Sequence, residues 1–294
     1  MRSNLKLGVD LGGTKIEIIA LDQGIQRLRR RVPTPQGDYQ QTVTVIASLV
    51  EDCERELGQQ GSLGVGIPGT RSPDHGRIKN ANSQCLIGQD LQGDLEQRLQ
   101  RPVRLANDAD CFALSEACDC SRAGAHSVFG GILGTGVGGG LVIGQQLLGG
   151  PNAITGEWDH NALPWRREED GPIRRCYCGK DDCIETFLSG PGWVARSALG
   201  LDASAIARAA QHGNEPARQA VSRYCDQLAR GLASVINLID PYVIVLSGGL
   251  SNTPELYQQV LPLLPKYVFS DQVNTRLVQA RHGDSSGARG AAWL

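Results

Sequence analysis

The sequence predicts an α/β protein, because short apolar strand patterns alternate along the chain with segments of helical spacing. Strands are predicted at LKLGVD and IEIIAL near the start and at SVFGGIL and YVIVLSGG further on. Helical spacing extends from about 38 to 57 and through EPARQAVSRYCDQLARGLASVINLI. The order strand, glycine turn, strand that opens the chain returns from Ser127, which indicates two halves of related construction.

The elements between these landmarks follow in a regular order. LGGTK is the turn between the first two strands, LGVGIPG is a strand that enters a loop, and PVRLAND is a strand that passes into the helix ADCFALSEA. SVFGGIL and LVIG flank the turn GTGVGGG. An irregular stretch of about 30 residues follows, and stretches of that kind are usually functional or braced by a metal. Helices then predominate from Ile184 to about Ile239, and RLVQA is a strand near the end.

The composition is that of an ordinary globular protein, with 294 residues, 40% hydrophobic residues and a formal net charge of −2. This length favours two domains or one large domain. Because there is no basic excess, we expect no nucleic-acid partner, and we interpret the arginines at 29–31 as a solvated strand edge or turn. The first residues contain no apolar stretch of signal-peptide or membrane-span length. We therefore expect a cytoplasmic protein without a membrane partner.

Three of the nine cysteines form the pattern C-x-C-x4-C at Cys176, Cys178 and Cys183. Zn²⁺ prefers four Cys or His ligands in a tetrahedron, and His160 is the best candidate for the fourth. A site with four protein ligands would be structural, and it would brace the irregular stretch beside Glu185. The alternative is that the three thiols are incidental.

Two glycine turns have the composition of phosphate-binding loops, since glycine lets a phosphate approach backbone N–H groups. The first contains Gly12, Gly13 and Thr14, and the second contains Gly134, Thr135, Gly136, Gly138 and Gly139. The alternative is that each is only a tight hairpin. The order of Thr14 and Lys15 excludes a P-loop. The second turn matches G-x-G-x-x-G, but a strand rather than a helix follows it, which favours a mononucleotide over a dinucleotide.

Several carboxylates and amides stand at strand ends or in loops. Asp10 ends the first strand and is either a Mg²⁺ ligand beside a nucleotide phosphate or a turn cap. Asp108 stands where a strand meets a helix and is either a general base for phosphoryl transfer or a helix cap. Side chains suited to a polyol substrate are Asn82, Asn107, Glu157 and Glu185.

Taken together, DLGGTK, AND, LGTGVGGG, GEWDH, CYCGKDDCIE and VLSGG resemble the motifs of the ROK family of sugar kinases and repressors, in the expected order from Leu7 to Leu294. VPTP, GIPG, KNANS, HNALPW and HGDSSGARGAAWL are most similar to the fructokinases, of manno(fructo)kinase type, within that family. CFALSEA and LGTGVGGGL are also similar to its N-acetylglucosamine kinases.

The resemblance implies an actin-like, hexokinase-type fold of two α/β domains around a cleft. The expected domains are 1–118 plus 280–294, and 119–279 with the zinc loop. It also implies ATP and Mg²⁺, with contacts from Asp10, from both glycine turns including Lys15, and from Gly248 and Gly249. Family members are commonly dimers, so a homodimer is expected.

The resemblance further implies a role for each candidate site residue. Asp108 matches the catalytic base and also contacts the sugar. The other residues that match sugar contacts are Asn82, Asn107, Glu157, His160 and Glu185. The residues that match the structural zinc site are His160, Cys176, Cys178 and Cys183.

We therefore expect ATP-dependent phosphorylation of a hexose at the C6 hydroxyl, with fructose as the first candidate, mannose or glucose as secondary substrates, and N-acetylglucosamine as the alternative. A sugar-responsive repressor is less favoured, since the first glycine turn leaves no room for a preceding helix-turn-helix domain. An NAD-dependent oxidoreductase would rest on the second glycine turn alone. The chain departs from the family pattern at Asp159 and Asp182, which replace glycines, and at Asp110, which replaces asparagine. We expect these changes to be tolerated.

Overall fold

The structure is a computed structural model that describes residues 4–81, 83–119, 124–281, 283 and 286–294. Within these ranges, two five-stranded sheets and one two-stranded sheet are combined with helices, so the predicted α/β class is confirmed. None of the helices in the described ranges is long and apolar enough to cross a membrane.

The regular elements have the following bounds. The strands are β1 (Leu5–Leu11), β2 (Lys15–Asp22), β3 (Ile25–Pro33), β4 (Ser62–Ile67), β5 (Thr70–Arg71), β6 (Ile78–Lys79), β7 (Arg104–Asn107), β8 (Ser127–Leu133), β9 (Val137–Ile143), β10 (Gln146–Leu147), β11 (Val243–Ser247) and β12 (Arg276–Gln279). The α-helices are α1 (Tyr39–Leu57), α2 (Leu91–Leu99), α3 (Asp108–Asp119), α4 (Glu185–Leu188), α5 (Gly190–Ser197), α6 (Ala203–Gln211), α7 (Glu215–Ile239), α8 (Pro254–Leu263) and α9 (Ser286–Trp293).

The described residues form two compact units. Unit 1 contains those of Met1–Gly124, Gly140–Thr155 and Asp284–Leu294, and unit 2 contains those of Ala125–Gly139 and Gly156–Gly283. Unit 1 thus takes in a segment that the sequence analysis assigns to the second domain. The expected functional domains, 1–118 plus 280–294 and 119–279, stay a prediction.

Unit 1 is built on a sheet with the strand order β3-β2-β1-β4-β7. Strands β1, β4 and β7 are parallel, whereas β2 and β3 form the antiparallel edge. Leu7 and Val9 belong to a core cluster with Ile46 of α1, and Ile19 belongs to a second cluster with Ala288 of α9. Because helices cover both faces of the sheet, β2 is a nearly continuous apolar run rather than an alternating one.

Helix α9 contacts the sheet backbone to backbone. Gly8 and Gly64 are paired across β1 and β4. A Cβ atom at Gly8 would lie 1.9 Å from the carbonyl oxygen of Ala288, and one at Gly64 would lie 1.9 Å from that of Ala291. The sequence analysis assigns no regular element to HGDSSGARGAAWL, and the structure shows that its last eight residues before Leu294 form α9. The small residues of this segment and of the sheet permit the close packing.

Unit 2 contains strands β8, β11 and β12, which are parallel and adjacent in a sheet with the order β10-β9-β8-β11-β12. Its longest helix, α7, has the predicted bounds. Arg230 of this helix is almost fully buried and donates hydrogen bonds to both carboxylate oxygens of Asp170 and to the carbonyl oxygen of Trp165. These bonds attach the irregular stretch before α4 to helix α7.

Replacement of Gly64 by alanine tests the backbone contact between β4 and helix α9. The added methyl group has no room against Ala291, so we expect the free energy of unfolding to fall by about 3 kcal/mol, the upper part of the overpacking range. Urea unfolding of the Gly64→Ala protein measures the change. Gly149→Ala is the control, because a Cβ at Gly149 meets no atom within 4 Å. Equal stability of the two variants would contradict the packing described for α9.

Candidate active site

The carboxyl ends of β1, β4 and β7 form one edge of the unit 1 sheet. Asp10 of β1 is in register with Gly66 of β4, and Ile67 of β4 is in register with Asn107 of β7. Since parallel strands in register end at the same edge, Asp10 and Asp108 approach each other there. The negative charge of Asp108 is one of the causes that raise the pKa of Asp10.

Asn107 and Asp108 both take part in the start of α3. Oδ1 of Asn107 accepts a hydrogen bond from the amide of Ala109 at 2.7 Å, and its Nδ2 donates to the carbonyl oxygen of Gly69 at 3.3 Å. Oδ1 of Asp108 also accepts from the amide of Ala109, at 2.8 Å. Asn107 therefore caps the start of α3, the role that the sequence analysis gives as the alternative for Asp108. Asp108 is exposed, so solvent or a ligand can reach its carboxylate although Oδ1 accepts this local bond.

Asp10 has a strongly raised pKa at this edge. Burial raises its pKa to about 7, with further contributions from the negative charges of Asp108 and Glu17. Glu17 is opposite Asp10 across β1 and β2 and is almost fully buried. Arg29 and Arg31 of β3 both pair with Glu17. The arginines predicted as a solvated strand edge thus neutralise a buried carboxylate, and Glu17 is a residue that the sequence analysis missed.

The first glycine turn joins β1 to β2. The amide of Gly12 donates to the carbonyl oxygen of Lys15 at 3.0 Å and closes the turn. The carbonyl oxygen of Gly12 accepts from Thr34 Oγ1 at 2.7 Å, and that of Gly13 accepts from Gln36 Nε2 at 2.9 Å. In a trans peptide the N–H group points opposite to the C=O group. The amides of Gly13 and Thr14 therefore face away from Thr34 and Gln36. A Cβ at Gly13 would meet no protein atom within 4 Å, which leaves room for a ligand.

The second glycine turn joins β8 to β9 in unit 2. The amide of Gly134 donates to the carbonyl oxygen of Gly136 at 2.9 Å. Glu185, the first residue of α4, accepts a hydrogen bond at Oε2 from the amide of Val137 at 2.9 Å. Gly248 follows the neighbouring strand β11 with a φ of 86°, and a Cβ there would lie 2.3 Å from the carbonyl oxygen of Leu133. The turn, Glu185 and the Gly248–Gly249 pair therefore form one group within unit 2.

Gly138 and Gly139 lie within β9 rather than in the turn. The carbonyl oxygen of Gly138 accepts from Nε1 of Trp158 at 3.0 Å. A Cβ at Gly139 would lie 2.7 Å from the carbonyl oxygen of Gly156 and 2.9 Å from Trp158, so packing alone requires glycine here. Since a strand follows the turn, the G-x-G-x-x-G match lacks the helix of a dinucleotide-binding motif.

The predicted metal ligands come together in unit 2. One ligand atom from each of His160, Cys176, Cys178 and Cys183 lies within 4.8 Å of the others. The Sγ atoms of Cys178 and Cys183 are 3.5 Å apart, and Nδ1 of His160 is 3.7 Å from Sγ of Cys176. Tetrahedral Zn²⁺ with Zn–S bonds of about 2.3 Å holds its ligand atoms roughly 3.5–3.8 Å apart. Both the spacing and the donor set fit a zinc ion.

The cysteine loop is hydrogen-bonded to the segment that follows His160. The amide of Leu163 donates to the carbonyl oxygen of Asp182 at 3.0 Å, and the amide of Ile184 donates to that of Asn161 at 2.8 Å. A metal bound by the loop would therefore brace 161–163 as well as Glu185, which comes directly after Ile184.

Asp182, which replaces a family glycine, has a left-handed backbone conformation with a φ of 50°. Its buried carboxylate compensates by joining three arginines: it accepts from the amide of Arg174 at 2.9 Å, from Arg166 Nε at 2.5 Å and from Arg196 at 3.2 Å. The left-handed conformation costs an aspartate little compared with bulkier residues. The acid thus cross-links the loop beside Cys183.

Asp159 does not have a positive φ and lies in a short 3₁₀ turn, Trp158–His160. Its side chain is buried, and burial raises its pKa to about 8, with a contribution from the negative charge of Glu157. Oδ2 of Asp159 is 3.4 Å from Nε2 of His160. Glu157 is exposed, whereas Asn82, another predicted sugar contact, lies outside the described residues.

Comparison with known proteins identifies the same family over nearly the whole chain. A model described as "ROK family" matches residues 6–294. N-acetyl-D-glucosamine kinase of Pectobacterium atrosepticum is 42% identical over 296 residues, which cover 98% of this chain and 97% of the relative.

Two solved structures illustrate the structural similarity. The crystal structure of a ROK hexokinase from Thermus thermophilus has a TM-score of 0.87 and 31% identity, with 98% of this chain and 97% of that one covered. A ROK family glucokinase from Streptomyces griseus, solved with glucose and AMPPNP, has a TM-score of 0.73 and 26% identity, with 98% of both chains covered.

The raised pKa of Asp10 predicts a pH-dependent loss of stability. Between about pH 4 and about pH 7 the native state holds the Asp10 proton more tightly than the unfolded state, so the free energy of unfolding falls as the pH rises through this window. Asp10→Asn should remove this contribution and gain stability relative to the wild type by a few kcal/mol, on the order of 2–4, above pH 7. Urea unfolding in a chelating buffer measures it.

The exposed Asp74 provides the control, because Asp74→Asn changes a solvated acid of the same unit. A stability difference between wild type and Asp10→Asn that is the same at low and high pH would contradict the assigned pKa.

Proposed function

Because the chain belongs to the ROK family, we propose that it is an ATP-dependent hexose kinase that transfers the γ-phosphoryl group to the C6 hydroxyl of its sugar. The observation that carries this proposal is the exposed carboxylate of Asp108 beside Asp10 at the carboxyl edge of the unit 1 sheet. The relatives named above support the substrate classes, a hexose and ATP.

Asp108 is the proposed catalytic base. Transfer of a phosphoryl group to an alcohol requires an acceptor for the hydroxyl proton and accurate positioning, with little covalent chemistry by the protein. The hydrogen bond from the Ala109 amide to Oδ1 limits the rotation of the Asp108 side chain. We propose that this carboxylate accepts the proton of the C6 hydroxyl as the oxygen attacks.

Asp10 is the proposed Mg²⁺ residue. Its pKa is raised by burial and by two negative neighbours, so a cation at this position would relieve a repulsion that already exists. When bound, Mg²⁺ would neutralise charge on the ATP phosphates. Glu17, which Arg29 and Arg31 hold on the opposite strand, adds to the negative potential that such a cation would meet.

The glycine turns are the proposed phosphate and nucleotide contacts. The open space at Gly13, and the direction of the amides around it, supports phosphate binding by Gly12, Gly13, Thr14 and Lys15. In unit 2 the corresponding group is Gly134, Thr135 and Gly136, with Gly248 and Gly249 beside the adenosine. Phosphate contacts by Gly138 and Gly139 stay a prediction, for which their packing in β9 gives no support.

For the sugar, we propose contacts from Asn107, Asp108, Glu157, His160 and Glu185. The relatives at 42% identity support N-acetylglucosamine, the alternative of the sequence analysis, better than fructose. Fructose stays the second candidate, because VPTP, KNANS, HNALPW and HGDSSGARGAAWL are most similar to fructokinases. A homodimer, the absence of nucleic-acid partners and a cytoplasmic location stay predictions, and a repressor without catalysis stays the alternative of a different class.

A panel of hexoses with ATP in a coupled ADP assay tests the proposed activity. We expect the highest kcat/KM for N-acetylglucosamine or fructose and lower values for mannose and glucose. The result that would contradict the proposal is the absence of ATP-dependent phosphorylation for every sugar in the panel. Specific operator binding by such an inactive protein would favour the repressor.

Replacement of Asp108 by asparagine tests the base. We expect kcat to fall about 10²- to 10⁴-fold, because the amide cannot accept the proton. The dissociation constant of the sugar, measured by calorimetry, should change little, since the asparagine oxygen still accepts a hydrogen bond from the C6 hydroxyl in the ground state. Asp110→Asn is the matched control on the same helix and restores the residue usual in the family. Near-normal turnover by Asp108→Asn would refute the assignment.

We further propose that His160, Cys176, Cys178 and Cys183 hold a structural Zn²⁺. Metal analysis of protein purified without added zinc should find about one ion per chain, because four protein ligands leave no open position. Removal of the ion should lower kcat/KM through Glu185 and 161–163, which are attached to the loop. Fully active protein with a small fraction of an ion per chain would contradict a structural role.

A further inference from the structure

The carboxylate of Glu185 is hydrogen-bonded to the backbone of the second glycine turn. Its Oε2 accepts from the amide of Val137, which directly follows Gly136, at 2.9 Å. A Cβ atom at Gly136 would lie 3.6 Å from Oε2 and 3.8 Å from Oε1, so both carboxylate oxygens lie beside the turn. A hydrogen bond to a charged acceptor is about twice as strong as one between neutral groups. The bond therefore restrains the backbone where the turn passes into β9.

The other end of the turn is attached to the same segment of the chain. The carbonyl oxygen of Gly134 accepts from the amide of Gly190 at 2.7 Å. Glu185 begins α4 and Gly190 begins α5, so the segment 185–190 is hydrogen-bonded to both ends of the turn. In a trans peptide the N–H group points opposite to the C=O group, and the amide of Thr135 therefore faces away from Gly190.

The segment 185–190 is in turn fixed to helix α7. Phe187 and Leu188 are fully buried. The carbonyl oxygen of Leu188 accepts from the hydroxyl of Tyr224 in α7 at 2.8 Å. Because α4 is anchored in the core of unit 2, the carboxylate of Glu185 holds the turn from a rigid element.

We propose that Glu185 is a positioning residue for the phosphate-binding turn, in addition to its proposed contact with the sugar. The inference rests on the proposed function, in which Gly134, Thr135 and Gly136 contact the ATP phosphates. A turn that is held in place before the nucleotide arrives loses less conformational freedom on binding, and such preorganisation increases affinity. One carboxylate would thus serve the binding of both substrates.

The two roles of Glu185 use different oxygens. Oε2 accepts from the amide of Val137, whereas Oε1 accepts no hydrogen bond within the described part of the chain. Because a carboxylate has about four lone-pair sites, a sugar hydroxyl can donate to Oε1 while the turn stays attached to Oε2. A sugar contact alone predicts that Glu185 has no effect on nucleotide binding when sugar is absent, and this difference makes the proposal testable.

The first measurement is hydrogen exchange of the Val137 amide in the ligand-free protein, followed by ¹H–¹⁵N NMR. We expect exchange to be about 10-fold slower in the wild type than in Glu185→Ala, because the alanine variant lacks the acceptor. Glu185→Gln should keep most of the protection, since its side-chain oxygen still accepts. A Val137 amide that exchanges without protection in the wild type would overturn the proposal without any variant having to fold.

The second measurement is a calorimetric titration with Mg²⁺ and the ATP analogue AMPPNP in the absence of sugar. We expect the dissociation constant for Glu185→Ala to be about 10-fold larger than that for Glu185→Gln. Both variants lack the negative charge, so their comparison isolates the hydrogen-bond acceptor from the repulsion between a carboxylate and phosphate.

The matched control is the pair Glu157→Ala and Glu157→Gln. Glu157 is an exposed acid of the same unit and also a proposed sugar contact, but no hydrogen bond joins it to the turn within the described residues. The dissociation constants of this pair should agree within about twofold, as expected for surface substitutions.

The outcomes separate this inference from the proposed function. Wild-type protein that binds no AMPPNP with Mg²⁺ would refute the nucleotide site and the inference with it. Wild-type protein that binds the analogue, together with equal dissociation constants for Glu185→Ala and Glu185→Gln, would refute the positioning role and leave the kinase proposal standing. A difference of the same size in the Glu157 pair would show that the effect is not specific to the turn, and it would also overturn the inference.

Discussion

The in-register parallel pairing of β1, β4 and β7 is the constraint on which the candidate site of unit 1 depends. It brings the carboxyl ends of three strands to one edge, and Asp10 and Asp108 approach each other there although about a hundred residues separate them in sequence. The same register aligns Gly8 with Gly64 and so allows α9 to lie directly on the sheet. A slip of one residue would move the acids and the glycines to the wrong faces together.

The glycines fall into two physical classes. Gly8, Gly64 and Gly139 are required by neighbouring protein atoms, because a Cβ there would overlap a carbonyl oxygen. Gly13 and Gly249 face open space, so no protein atom requires glycine at those positions. The second class is the one expected where a ligand approaches the backbone. Sequence patterns alone do not separate these classes, so the glycine motif predicts a phosphate contact for Gly139 as well.

Much of the fold follows from local sequence patterns, and the ROK resemblance and the actin-like fold that it implied are confirmed. Helix α7 has clear periodicity and correct ends, and strand β1 ends at Leu11, one residue later than predicted. Helix α9 and the role of Glu17 could not be predicted, because both depend on partners distant in sequence. The sequence shows that an aspartate replaces a glycine at 182, but it does not show the three arginine partners that stabilise Asp182 at a φ of 50°. For the sugar, the comparisons support the alternative better than fructose.

The approach of Asp10 to Asp108 can be measured directly by a ¹³C NMR titration of the Asp10 carboxyl group, assigned with Asp10→Asn. The structure predicts a pKa of about 7 in the wild type, because burial and the charge of Asp108 both oppose ionisation. In Asp108→Asn the pKa of Asp10 should fall, since one negative neighbour is removed. An ordinary pKa near 3.8 that does not respond to Asp108→Asn would contradict the convergence of the two acids.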